Sequence, residues 1–245
     1  MEKEKKIKMT AVFDLLQSAI KTWWKNLSKF FLLYIWGIAY AAIPIAVLLL
    51  LVGVGYFTSL WENSYFAIVA SFICLWAVIF IVYYSIRVYL SMFLLIKHNY
   101  AKKELEIYKE SANYFWSYIT LIFLTLILLA LWFMALFVPA LIFAIFYTFA
   151  CYAFIFEGKR DIDAIRRSRE LVAGYWWAVL GRFILLGIVL MLFIMIISLP
   201  LQFLSPSGVG AAIWNIVVQI INYLVGPIGL IFTYLMYQDL VKIKK

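Results

Sequence analysis

The sequence predicts an all-α fold: a polytopic six-transmembrane-helix bundle with three repeats of an amphipathic interfacial helix plus a transmembrane hairpin. Three observations predict it. Six long apolar stretches follow one another, roughly Leu27–Phe57, Tyr65–Ile96, Tyr118–Phe137, Ala140–Phe156, Ala178–Leu199 and Ala211–Leu240. Each reaches or approaches the roughly 20 residues that a helix needs to cross a hydrocarbon core about 30 Å thick. Every Lys and Arg except Arg87 falls on alternate flanks and connections of these stretches, Lys29 and Arg182 within the first turns of theirs. Finally, an aromatic pair returns three times, as Trp23-Trp24, Phe115-Trp116 and Trp176-Trp177, each after a charged amphipathic stretch and before a long apolar run.

Composition closes off the other broad classes. A chain that is 67% hydrophobic, with a mean hydropathy of +1.02, is no soluble globule, whose apolar share is nearer half. Six spans with short connections use up nearly all of the 245 residues, so the whole of 1–245 reads as a single integral membrane domain. Its repeat units run approximately over 10–98, 102–157 and 161–240. The net charge of +9 does not point to nucleic acid, because no basic segment stands free of a membrane helix. Those charges set topology and rest on anionic headgroups.

The elements follow in order. Met1 to Met9 is basic but leads into no short apolar core with a cleavage site, so it does not read as a removable signal peptide. In the first amphipathic helix Val12, Phe13, Leu16, Ala19, Ile20 and Trp23 recur at helical spacing, with Asp14, Gln17, Lys21 and Lys25 around the other face. The first span carries Pro44 and the second Arg87, and the connection after them holds Lys97 to Lys109. The third and fourth spans meet at Pro139 with almost no polar residue between them, a tight hairpin that barely leaves the membrane. In the third amphipathic helix Asp161 reads as N-cap and Gly174 as stop. Between them Ile162, Ile165, Leu171 and Val172 oppose Arg166, Arg167, Arg169 and Glu170. The fifth span ends near Pro200, with Pro206 beyond it, and the sixth is broken or bent by Gly226-Pro227 with Gly229.

The first and third copies agree best. Trp23, Trp24, Leu27, Phe30, Leu32, Leu33 and Ile35 match Trp176, Trp177, Leu180, Phe183, Leu185, Leu186 and Ile188, with Lys29 against Arg182. Helices of this kind lie in the headgroup plane with their apolar faces down. They serve either as topological elbows or as a collar that docks a partner or senses anionic lipid.

Few residues offer chemistry. Arg87 is costly inside a span unless it pairs or snorkels. The preferred reading is a snorkel, with His98 to Lys103 extending its helix, and with Glu157 and Asp239, each at the inner end of a span, as counter-charges. Asn215, Gln219 and Asn222 stand at i, i+4 and i+7 on one face of the sixth span. In hydrocarbon they need partners, so this face is expected to point into the bundle as interhelical glue or as a midplane binding site. His98, the one histidine, reads as an ordinary interfacial residue. Cys74 and Cys151 lie within spans and suggest no disulfide or metal spacing. No catalytic residue, cofactor or metal is expected: there is no Gly-rich phosphate loop, nucleophile elbow or paired intramembrane aspartate.

Glu157-Gly158, Ala164 to Ser168, Leu171-Val172, Gly174 and Trp176-Trp177 form a string that resembles the link between the fourth and fifth spans in bacterial and archaeal proteins related to the membrane domain of glycerophosphoryl diester phosphodiesterases. The run from Gly226 to Leu240 is similar to the same family's carboxyl end, and Phe13-Asp14-Leu15 with Trp23 and Asn26 to its opening. The resemblance implies a six-helix protein of a prokaryotic cytoplasmic membrane and hands over no activity. Metal-assisted diester hydrolysis needs a cluster of carboxylates and histidines, and the soluble diesterase domain has no counterpart here. The expected role is therefore non-enzymatic: a scaffold or partner subunit contacting anionic headgroups or other membrane proteins. A transporter or lipid-handling protein with its site near Asn215, Gln219 and Asn222 is the alternative.

The charge alternation places both termini in the cytoplasm. A cysteine at Ser64 or Ser207 should then react with an impermeant thiol reagent on intact cells, and one at Lys103 or Lys159 should not. Labelling at 159 in sealed cells would reverse the topology.

Overall fold

Long runs of Leu, Ile, Phe and Ala have one way to satisfy their backbone in hydrocarbon, which is to bond each N–H within the same segment. The computed structural model describes residues 9–58, 64–203 and 209–244, and among these every regular element is a helix. The elements are α1 (Val12–Lys25), α2 (Leu27–Thr58), α3 (Ser64–Lys97), α4 (Glu104–Ala135), α5 (Phe137–Tyr147), α6 (Ala150–Glu157), α7 (Asp161–Val172), α8 (Trp176–Phe203) and α9 (Val209–Ile243). Six helical segments are long and apolar enough to cross a membrane: Leu27–Tyr56, Ser64–Lys97, Glu104–Met134, Phe137–Glu157, Trp176–Ile197 and Ile213–Ile243. This is the architecture of a multi-pass membrane protein. The lysines from Lys3 to Lys8, Glu62, Pro206, Ser207 and Lys245 lie outside the described residues.

The chain divides into two compact units. One gathers the described residues through Leu27 with those from Trp116 onward, and the other runs from Ser28 to Phe115. In the second unit the core sits at the basic end. Phe30, Leu33, Leu90, Phe93, Leu94, Leu95, Ile96, Ile107 and Tyr108 are fully buried there, while Tyr65, Ile68, Val69 and Phe72 at the other end of α3 are exposed. With 34 residues, α3 is about 50 Å long. That exceeds the roughly 30 Å hydrocarbon core, so α3 is long enough to extend beyond the lipid tails, and its buried turns are those at the basic end. In the other unit α1 packs on α9, Leu15 and Ala19 of α1 are buried, and Trp23 Nε1 donates to the Leu224 carbonyl at 2.7 Å. Phe149, Ala153, Ile155, Leu171, Val172, Phe232, Met236 and Leu240 complete that unit's core.

Several sequence expectations change in detail. The expected apolar face of α1 is divided: Ala19 is buried, Val12, Leu16 and Trp23 are half-buried, and Phe13 and Ile20 stay exposed, while Leu15, off that face, is buried. α3 does not extend over His98 to Lys103, because Asn99 and Tyr100 both adopt positive φ (50° and 60°) and end it at Lys97. Asp161 makes no side-chain cap and sits at φ 48° as the first residue of α7. Gly174, at φ 87°, does stop the helix. The tight hairpin is present, but its single non-helical residue is Leu136, and Pro139 falls in the first turn of α5, where no N–H is needed. The expected fourth span is two helices, with Ser168 of α7 bridging the break. Its buried hydroxyl accepts from Phe149 N at 3.0 Å and donates to the Phe146 carbonyl at 2.6 Å.

The backbone is not the same in the three proposed repeats. The aromatic pair ends α1 before a break at Asn26, opens α8 after the break at Gly174, and lies inside an unbroken α4 in the middle copy. Glu104–Ala135 contains no Gly or Pro, so nothing in it stops the helix where a surface element would turn into a span.

One contact sets how closely α2 and α3 approach. A Cβ placed on Gly37 would stand 2.2 Å from Val88 Cγ2, so only glycine fits without movement, as at many helix crossings in membranes. Gly37→Ala should lower stability by about 1–3 kcal/mol through overpacking, read as thermal unfolding in detergent. Adding Val88→Ala should recover most of the loss.

Candidate functional site

Arg87 is buried, at 8% exposure, rather than snorkelling. Its Nε donates to Ser111 Oγ at 3.2 Å and its Nη2 to the Tyr108 carbonyl, while Ser111 Oγ donates to that same carbonyl at 2.6 Å. The guanidinium carbon lies 4.4 Å from the centre of the Tyr108 ring and 5.5 Å from that of Tyr83. Tyr40 stacks on Tyr108 at 5.1 Å and on Tyr84 at 6.1 Å, extending the aromatic wall. A carbonyl, a hydroxyl and two π faces thus stand where a counter-charge was expected. The Tyr108 hydroxyl, itself buried, has no hydrogen-bond partner among the described residues.

The expected counter-charges belong to other constellations. Glu157 closes α6, and Gly158 at φ 70° turns the chain back into α7. The carboxylate accepts from Arg167 Nε at 2.9 and 3.2 Å and from the Tyr237 hydroxyl at 2.8 Å, joining α6, α7 and α9. The bond to Glu157 holds the Arg167 guanidinium above its ordinary range against the opposing effect of burial. Arg167 therefore leaves the polar face on which its spacing had placed it. Asp239 Oδ2 accepts from Thr10 N at 3.0 Å, and the Thr10 carbonyl accepts from Arg182 Nη2 at 2.8 Å. The stretch before α1 is thereby pinned between α8 and α9.

Asn215, Gln219 and Asn222 are all exposed, contrary to the expected inward orientation. The apolar positions Trp214, Val218, Ile221 and Val225 share their spacing one residue earlier and are half-buried to buried. A face of Trp, Val and Ile buries one polar group, the Trp214 Nε1–H, which finds no hydrogen-bond partner among the described residues, against the three amides that the other face would bury. His98 is better connected than expected: its Nε2 lies 3.2 Å from both Glu110 oxygens, and Lys102 Nζ donates to the same carboxylate at 2.9 Å. Spacing gave no hint of this trio, since the turn at Asn99-Tyr100 brings it together. Ser111, Tyr108, Ser168 and Tyr237 were missed for the same reason, each being an unremarkable residue on an apolar helix until a neighbour presents a carbonyl or a charge. Among the described residues no group of three His, Cys, Asp or Glu side chains gathers as a metal site requires.

Comparison with known proteins finds one family, described as a domain of unknown function (DUF7847), matching residues 109–240. No curated protein and no solved structure matches the chain.

Two expectations follow from the geometry. Arg87→Lys keeps the charge but cannot fork to both Ser111 and the Tyr108 carbonyl, and it should lose about 1–3 kcal/mol of stability. Arg87→Leu removes charge and need together and should lose less, an order that thermal unfolding of both variants in detergent checks. Glu157→Gln should cost about 1.5–3 kcal/mol, the range for hydrogen bonds to charged groups. Its effect should be non-additive with Arg167→Met in a double-mutant cycle, whereas additive losses would show that the two side chains do not act together.

Proposed function

From the premise that the chain belongs to the DUF7847 family, whose description assigns no activity, we propose that it is a non-enzymatic scaffold or partner subunit of a prokaryotic cytoplasmic membrane. Its basic surface faces the cytoplasm and holds anionic headgroups. The observation that carries this reading is the solid packing of each unit at its basic end. Phe30, Phe93 and Tyr108 fill one, and Phe149 and Phe232 the other, all at or near zero exposure. Lys21, Lys25, Lys159, Arg160, Arg166 and Arg169 lie exposed outside these cores. Charges arranged around a filled interior engage what lies against the surface.

The aromatic pairs support the same reading. In each pair the first ring is held: Trp23 donates to Leu224 O, Trp176 donates to Ile142 O at 3.1 Å, and Phe115 packs edge-on to Tyr83. The second ring stands out, with Trp24, Trp116 and Trp177 at 70%, 77% and 79% exposure. Rings of this kind prefer headgroup depth, and the shared division is what remains of the threefold repeat. The likeness to the membrane domain of glycerophosphoryl diester phosphodiesterases belongs to this reading as well, as a relation of membrane architecture.

The test is lipid retention. Purified from native membranes and examined by native mass spectrometry, the protein should carry anionic lipid enriched over zwitterionic lipid. Neutralising Lys21, Lys25 and Arg166 to Gln should weaken that retention by about fivefold per residue, as expected for roughly 1 kcal/mol per surface cation. Retained lipid that mirrors the bulk membrane in both proteins would overturn the proposal.

A further inference from the structure

α9 presents two parallel stripes, offset by one residue. Trp214, Val218, Ile221 and Val225 turn toward the protein, whereas Asn215, Gln219, Asn222 and Gly226 recur at the same spacing and are all exposed. One residue of offset is about 100° of helix rotation. The second stripe is therefore a separate face, rimmed by the exposed Ile213, Ile216 and Ile220. It begins some 9 Å along α9 and continues past 20 Å by helical rise, well within a span of this length. Each amide carries two N–H donors and a carbonyl acceptor, and no hydrogen bond joins any of the three to another described residue. Lipid tails cannot supply those bonds.

We infer that this stripe is the seam of a homodimer, with the α9 of a second copy of this chain lying against it across a twofold axis. The chemistry of the stripe selects the occupant. It carries no charge, so it does not call for a charged partner helix. An amide is donor and acceptor at once, so the same stripe rotated by 180° offers a partner for every group. A twofold interface is self-complementary in just this sense. Gly226 at one end of the stripe lets the two backbones come close, as small residues do at helix contacts in membranes. The isoleucine rim shields the amide bonds from competing polar groups. The inference shares with the proposed function only the reading of α9 as a span. It does not depend on headgroup binding, so lipid retention and subunit count fail separately.

The experiment uses the full chain in lipid vesicles. Single-molecule photobleaching of the singly labelled protein should show two steps. For the combined Asn215→Leu, Gln219→Leu and Asn222→Leu variant it should show one step, with the dimer dissociation constant raised about tenfold or more, since each interhelical amide bond contributes only a modest part. Leucine keeps the helix and raises its hydropathy, and unchanged circular dichroism confirms that the variant folds. In a Cys74→Ser, Cys151→Ala background, Gln219→Cys should oxidise to a dimer-sized product, and Ile188→Cys on α8 should not. Single-step bleaching of the unmutated protein at every density, unweakened dimers of the triple variant, or a cross-link at 219 to a different protein would each overturn the inference.

Discussion

Apolar side chains gain nothing by leaving lipid for one another, so cohesion inside a membrane has to come from close fit and from polar bonds. That constraint explains where this chain is tight and where it is open. The residues of α3 from Tyr65 to Val82 are largely exposed, while those from Leu90 to Ile96 are sealed. The sealed turns lie at the basic end of α3, and wherever such turns meet water, burial contributes about 25 cal/mol per Å². Where α2 meets α3, the contact is one of shape, as between Gly37 and Val88.

The polar bonds share a common form: one side chain reaches across to the carbonyl of another helix. Trp23 does so to Leu224, Trp176 to Ile142, Tyr152 to Leu230 at 2.9 Å, Ser168 to Phe146 and Arg87 to Tyr108. A carbonyl oxygen has two lone pairs, so a helix can accept such a bond without giving up its own ladder. This lets a chain with few polar residues pin its helices in register. It also gives the buried cation of α3 a neutral setting, in which Arg87 is held by a carbonyl, a hydroxyl and the faces of two tyrosines.

The charged residues divide along the same lines. Glu157 and Asp239, which the sequence singled out as counter-charges, act instead as fasteners for α7 and for the stretch before α1. Sequence reasoning found them because a carboxylate at the end of an apolar run is conspicuous. It could not find Arg167 or Tyr237 as the partners of Glu157, because helical periodicity reports a face and not the neighbour that the face meets. The same limit misplaced the amides of α9. Two stripes at one spacing, a residue apart, are equally periodic, and only packing decides which turns inward.

What this sequence determined by itself is the set of properties that come from runs and from charge. Six apolar lengths, the helical class, the hairpin near Pro139, the stop at Gly174 and the amphipathic character of α1 and α7 all follow from local composition, because hydrocarbon leaves the backbone no alternative to the helix. The tertiary structure decided everything that depends on what one helix presents to another. The fourth span breaks at Phe149 because Ser168 is there to bridge it. Arg87 is buried because α4 offers a carbonyl and a ring, and α4 itself runs unbroken where a repeat called for a turn. Partners of that kind lie as far as 229 residues apart in the chain, as Thr10 and Asp239 do, and no local pattern records a contact that folding alone brings together.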